Sequence, residues 1–100
     1  MPYVKKELRV GVDLEIEKLV EVVLAAVPED KPEALDGIAN YVVSRLVNGV
    51  FKPSTGWRYH SMAHAVGCLE AVKLEMYRRL CGPYEDKAIS ENGDINEYKS

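Results

Sequence analysis

Apolar side chains recur along this chain mostly at intervals of three and four, the period of a helix that buries one side. Asp13 is suited to cap such a helix. Behind it Ile16, Leu19, Val20, Val23 and Val27 keep the spacing until Pro28 stops it, which predicts a helix over 13–27. Val22, Leu24, Ala25 and Ala26 fill the gaps, so the last two turns are apolar all round and need cover on more than one side. Residues 1–12 read as a polar arm. Within it Leu8, Val10 and Val12 alternate with Arg9 and Gly11, the pattern of a short strand or strand-like strap.

Pro28 to Pro32 form a loop, and Pro32 is placed to open the next helix. Over 33–51, Leu35, Ile38, Val42, Leu46 and Val50 make one stripe, with Gly37 weakening the first turn and Asp36 an alternative cap. A second loop, KPSTGWRY, ends in three large side chains. A third helix is expected over 60–81 on the near-heptad stripe Met62, Val66, Leu69, Val72, Met76 and Leu80, with Gly82-Pro83 breaking it. At about 1.5 Å per residue it would run roughly 33 Å. Ala63, Gly67 and Ala71 give it a face that another helix can approach closely. Tyr84 to Glu91 form a short helix closed by Asn92-Gly93, followed by an acidic tail. The expectation is thus one all-α domain over 1–100: an arm (1–12), a three-helix bundle with a short C-terminal helix (13–91) and a flexible tail (92–100).

One hundred residues suffice to bury a core without a metal or disulfide. Cys68 and Cys81, 13 apart on one expected helix, lie roughly 20 Å from each other and cannot pair within the chain. Reduced thiols, an N-terminus without the apolar core of a signal peptide, and no apolar run near the roughly 20 residues of a membrane span lead us to expect a cytoplasmic protein.

The formal net charge of −3 is unevenly spread. Residues 1–44 carry five bases against nine acids, and 83–100 two against five. Residues 45–82 reverse this: Arg45, Lys52, Arg58, Lys73, Arg78 and Arg79 face only Glu70 and Glu75. An anion is best received there. General nucleic-acid binding, which needs many phosphate contacts, does not fit a pI near 5.4 without a long basic run.

Three stretches carry sequence words: MPY at the start, ANYVVSRL at 39–46, and LEAVKLEMYRRLCGPYEDKAISENGD at 69–94. They resemble a family of short uncharacterised proteins encoded by phages and prokaryotes, which read close to NYVIsRL, GALECaKLEfYRR and aPYEDKKIxENGDVY. The likeness spans most of residues 36–95 and is most specific in PYEDK and ENGD. It implies no activity. Ile95-Asn96 after ENGD departs from the pattern, and the loop Gly56 to His60 is not part of it.

Trp57, Arg58, Tyr59 and His60 lead into the N-terminus of the third helix, where unpaired N–H groups and the dipole favour an anion. An aromatic face, a guanidinium and a helix start together suit a nucleotide or another phosphorylated small molecule. The plainer alternative is that Trp57 and Tyr59 plug the core. Lys73, Arg78 and Arg79 could add cations across an oligomer interface, or form only helix-end ion pairs. His60, His64 and Cys68 share a face at four-residue steps, weak metal candidates because three ligands on one helix span about 12 Å. Glu91 and Asp94 match half of the paired ExxE and ExxD carboxylates of helical Mg²⁺ pyrophosphohydrolases. Glu70 and Glu75, five apart, fail to supply the other half, and ENGD reads better as a helix cap and turn.

These readings favour a non-enzymatic homo-oligomer without a cofactor. It would hold a small anionic, nucleotide-like ligand through Trp57, Arg58, Tyr59, His60 and one or more of Lys73, Arg78 and Arg79. Small phage sponges that sequester nucleotide immune signals share its size, helicity and charge layout, though not its sequence. A structural or protein-interaction module, and behind it a Mg²⁺-dependent nucleotide hydrolase, are the alternatives.

Overall fold

The computed structural model of the chain describes residues 2–99, and every regular element among them is helical. The all-α class expected from the periodicity is what the chain adopts. It contains α1 (Lys6–Ala26), α2 (Ala34–Phe51), α3 (Tyr59–Met76), a π turn (Tyr77–Cys81), α4 (Gly82–Asn92) and a 3₁₀ turn (Asn96–Tyr98). Its contacts divide it into two compact units, Met1–Ala65 and Val66–Ser100.

In the first unit α1 begins seven residues before the expected cap. Lys5 holds the N-cap position without a side-chain hydrogen bond, Asp13 lies inside the helix, and the strand-like arm is absent among the described residues. The reason is the spacing itself. Leu8 and Val12, each two from Val10 in the alternation, are four from one another, and Ile16, Val20 and Leu24 continue that step. The Arg9 Nε–H donates to the Val4 carbonyl at 2.8 Å, tying the preceding extended residues to the first turn.

Both of the first two helices stop where a proline follows. Val27 (φ −77°, ψ 120°) precedes Pro28, and Lys52 (φ −69°, ψ 117°) precedes Pro53, each extended because the proline ring crowds the α conformation of the residue before it. Asp36 falls within the first turn of α2 instead of capping it. α1 and α2 pack on each other around a recess of about 200 Å³ lined by Leu19, Val20, Val23 and Leu24 of α1 and Ala39, Val42 and Val43 of α2, of which Leu19, Val23, Ala39 and Val42 are half-buried. The contact uses only part of each apolar arc. Val20 stays 51% and Leu24 59% exposed, and covering the remainder of one such side chain would contribute roughly 1 kcal/mol. Among the described residues only Ser61 and Ala65 are buried.

The second unit corrects the expected break at Gly82-Pro83. Helical structure runs without interruption from Val66 through the π turn to Asn92. Pro83 cannot donate to the carbonyl four residues back, and its ring crowds that carbonyl. The turn just before it is widened, with the Gly82 N–H bonded to the Tyr77 carbonyl five residues back. Pro83 then sits in the first turn of α4, where a missing N–H costs nothing. Gly93 ends α4 as the ENGD word suggested. Its φ of 88° lies in the left-handed region open to glycine, and its N–H reaches the Ile89 carbonyl at 2.8 Å.

Candidate functional site at the start of the third helix

Gly56 shapes the approach to α3. At φ 101° it takes a conformation that side-chain-bearing residues avoid, and its N–H closes a turn on the Pro53 carbonyl at 3.0 Å. Trp57, next in the chain, is half-buried. Arg58, Tyr59 and His60 then stand exposed, Tyr59 at 86%. The loop therefore anchors through one aromatic side chain and presents the following three to solvent, which separates Trp57 from Tyr59 in a way that the sequence left open.

Ser61 fixes the helix start. Its hydroxyl donates to the Arg58 carbonyl at 2.9 Å and accepts from the Arg58 N–H at 3.1 Å. Arg58 occupies the cap position, since its carbonyl takes the first helical bond from the Met62 N–H at 3.0 Å. Ser61 thus reaches back to the cap residue from the third helical position, the part a Glu or Gln plays in a capping box. Pattern reading missed this serine, because a hydroxyl at that position is a weaker signal than a carboxylate. No acidic residue lies in the first turn of α3. The N–H groups of Tyr59, His60 and Ser61 open toward an edge carrying the Arg58 cation and no opposing charge of its own turn.

The remaining candidates are differently placed. The rings of His60 and His64 meet edge to face with centroids 6.2 Å apart, and Cys68 is an exposed thiol in the second unit. No group of three side chains able to hold a metal occurs among the described residues. Lys73, Arg78 and Arg79 also belong to the second unit. Lys73 is ion-paired with Glu70 at 3.0 Å and Arg78 with Glu75 at 2.6 Å, each one turn away on the same helix. These pairs engage both carboxylates that the pyrophosphohydrolase comparison required. Glu91 approaches Lys87 at 3.9 Å, and Asp94 accepts from the Ile95 N–H at 2.8 Å, so ENGD works as a cap and turn.

The second unit holds a feature that no motif announced. The Tyr77 hydroxyl donates to the Glu85 carboxylate. Tyr77, Leu80, Cys81, Tyr84 and Glu85 line a shallow, mainly apolar groove of about 450 Å³. The bond to Glu85, followed by that carboxylate's negative charge, raises Tyr77 above the usual phenol value of 10.0.

Fold and site define an all-α chain with widely exposed apolar helix faces and a cationic, aromatic helix start. No helix among the described residues is long and apolar enough to cross a membrane. The chain belongs to the family described as Domain of unknown function (DUF6899), whose model matches residues 1–95. No curated protein and no solved structure matches it.

Proposed function

We propose that this chain is a non-enzymatic, homo-oligomeric helical binding protein that sequesters a small anionic, nucleotide-like ligand at the start of α3. The observation that carries this reading is the division of labour in the loop. Trp57 is half-buried, while Arg58, Tyr59 and His60 are exposed beside an N-terminus whose first turn holds no acid. A phosphate would meet the guanidinium and the open N–H groups, and a base would lie against Tyr59 or His60. Lys73 and Arg78 already carry ion pairs on their own helix, so the loop residues bear the main part of the binding. Self-association is supported by the exposed apolar arcs of α1 and α2, including Val20, Leu24 and Leu46. In a phage protein acting in a host cytoplasm, such binding would withdraw a nucleotide immune signal without chemical change.

Thermal-shift and calorimetric titration of the whole protein against mono-, di- and cyclic nucleotides tests this reading. A ligand at a hundred times its Kd adds about 2.7 kcal/mol of stability. Absence of stabilisation across the whole set overturns it.

A further inference from the structure

Lys18, Lys73, Arg78 and Lys87 each have a carboxylate one turn away on their own helix, at 2.6 to 3.9 Å. Arg45 and Lys52 have no such pair among the described residues. No Asp or Glu occurs anywhere in 37–69, and the last acid before Arg45, Asp36, is nine residues away. Both cations border one open recess of about 550 Å³, lined also by Asn48, Gly49, Pro53 and Ser54.

The local sequence accounts for its shape. At 3.6 residues per turn Arg45, Asn48, Gly49 and Lys52 fall within about 100° of the α2 circumference. Gly49 leaves a gap in that face, where an added methyl group meets nothing within 4 Å. Lys52 is extended ahead of Pro53, and the Gly56 N–H closes on the Pro53 carbonyl at 3.0 Å, so the turn carrying Pro53 and Ser54 forms the far wall.

The recess is rich in donors. Arg45 is restrained by Tyr41, one turn earlier: its guanidinium carbon lies 5.8 Å from the ring centroid, and its Nη1–H donates to the phenol oxygen at 3.4 Å. That engages one of five guanidinium N–H groups. The Lys52 ammonium and the Ser54 hydroxyl add donors, and the Asn48 amide keeps a second N–H beside the one given to the Ser44 carbonyl at 2.7 Å. The carbonyl end of α2 carries only about half a unit of negative charge, against two full cations. The lining holds no carboxylate to compete and no aromatic face on which a base could stack. Those properties select a compact dianion with several acceptor oxygens, the chemistry of a phosphate group.

We propose that the recess at the end of α2 is a second anion site, at which Arg45 and Lys52 bind a phosphate group and Asn48 and Ser54 donate hydrogen bonds to it. This site goes beyond the ligand at the start of α3 and does not depend on it.

An amide NMR titration of the whole protein with inorganic phosphate at constant ionic strength, repeated with glycerol phosphate, tests the site. Saturable shifts should appear at the amides of Asn48, Gly49, Lys52 and Ser54 with both probes. Tighter binding of glycerol phosphate identifies an organic phosphate as the ligand, and equal binding identifies free phosphate. Arg45→Gln and Lys52→Gln, both at exposed positions, should each weaken binding about fivefold or more. Gly49→Leu keeps both cations but fills the gap, and it should lower affinity by a similar factor while circular dichroism shows the helices intact. Shifts that rise without saturating, an affinity unchanged in both Gln variants, or wild-type affinity in Gly49→Leu each overturn the site. Arg58→Ala should leave these shifts in place, so failure here and failure of nucleotide binding at the start of α3 are told apart.

Discussion

The Tyr77 hydroxyl donates to the Glu85 carboxylate eight residues further along the chain. In an unbroken α-helix that spacing leaves two side chains about 80° apart around the axis, given 3.6 residues per turn. The π turn absorbs roughly one extra residue, so Gly82 stacks on Tyr77 and Glu85 follows on the same side. The carboxylate both accepts the phenolic proton's bond and repels a phenolate, which raises Tyr77 above 10.0. The folded chain therefore favours the protonated phenol. That contribution is full below the ordinary phenol value and is lost as pH rises past 10.0 and through the raised value of Tyr77. In an ultraviolet titration, Tyr77→Phe should remove a phenolate signal that develops above the usual value of 10.0. Glu85→Gln, which keeps an acceptor without the charge, should move it to lower pH. An unchanged profile in both variants would contradict the pairing.

Gly11 tests the extension of α1 toward the N-terminus. It lies within the helix, and a methyl group added there meets nothing within 4 Å. Gly11→Ala should therefore raise helical content and stabilise the fold by roughly 0.5–1 kcal/mol. In a strand-like arm the same change would leave helicity where it was.

Ser61 serves both backbone groups of Arg58 from a buried position. Ser61→Ala should cost about 1 kcal/mol in urea unfolding and speed amide exchange at the start of α3. Equal stability would mean that water replaces the hydroxyl there.

The conformation of Gly93 makes the opposite demand to that of Gly11. At φ 88°, Gly93→Ala should lose about 1 kcal/mol and fray the end of α4, visible as faster exchange of the Gly93-position amide now bonded to the Ile89 carbonyl.

Arg58 separates binding from folding. Its side chain is exposed, while its backbone alone is held by Ser61, so Arg58→Ala should leave the melting temperature of the free protein nearly unchanged. Nucleotide-induced stabilisation should fall at least tenfold in apparent affinity, with Arg58→Lys intermediate, since a lysine cannot bind a phosphate bidentately. Nucleotide binding that survives Arg58→Ala undiminished would remove this residue from the site.

Local pattern alone specified the all-α class, the second helix to within a residue, and the stops at Pro28 and Gly93. Each of these rests on local sterics or on a period of 3.6, and neither depends on distant residues. Alternation misled at Leu8, Val10 and Val12, because residues four apart, as Leu8 and Val12 are, share a face in a strand and in a helix alike, and five residues cannot separate the two. Gly82-Pro83 misled because the rule that proline stops a helix omits the alternative of widening the turn before it. Which part of each apolar arc is used depends on how the helices pack. Leu19, Val23, Ala39 and Val42 are half-buried at the α1–α2 recess, while Val20 and Leu24 on its rim, and Leu46, remain exposed. An arc that covers nearly half a helix shows that something must be covered but not by which neighbour. The same limit governed the candidate site: composition placed cations along 45–82, and the folded chain distinguished Lys73 and Arg78, held in ion pairs on their own helix, from Arg58, exposed at a helix start without acids.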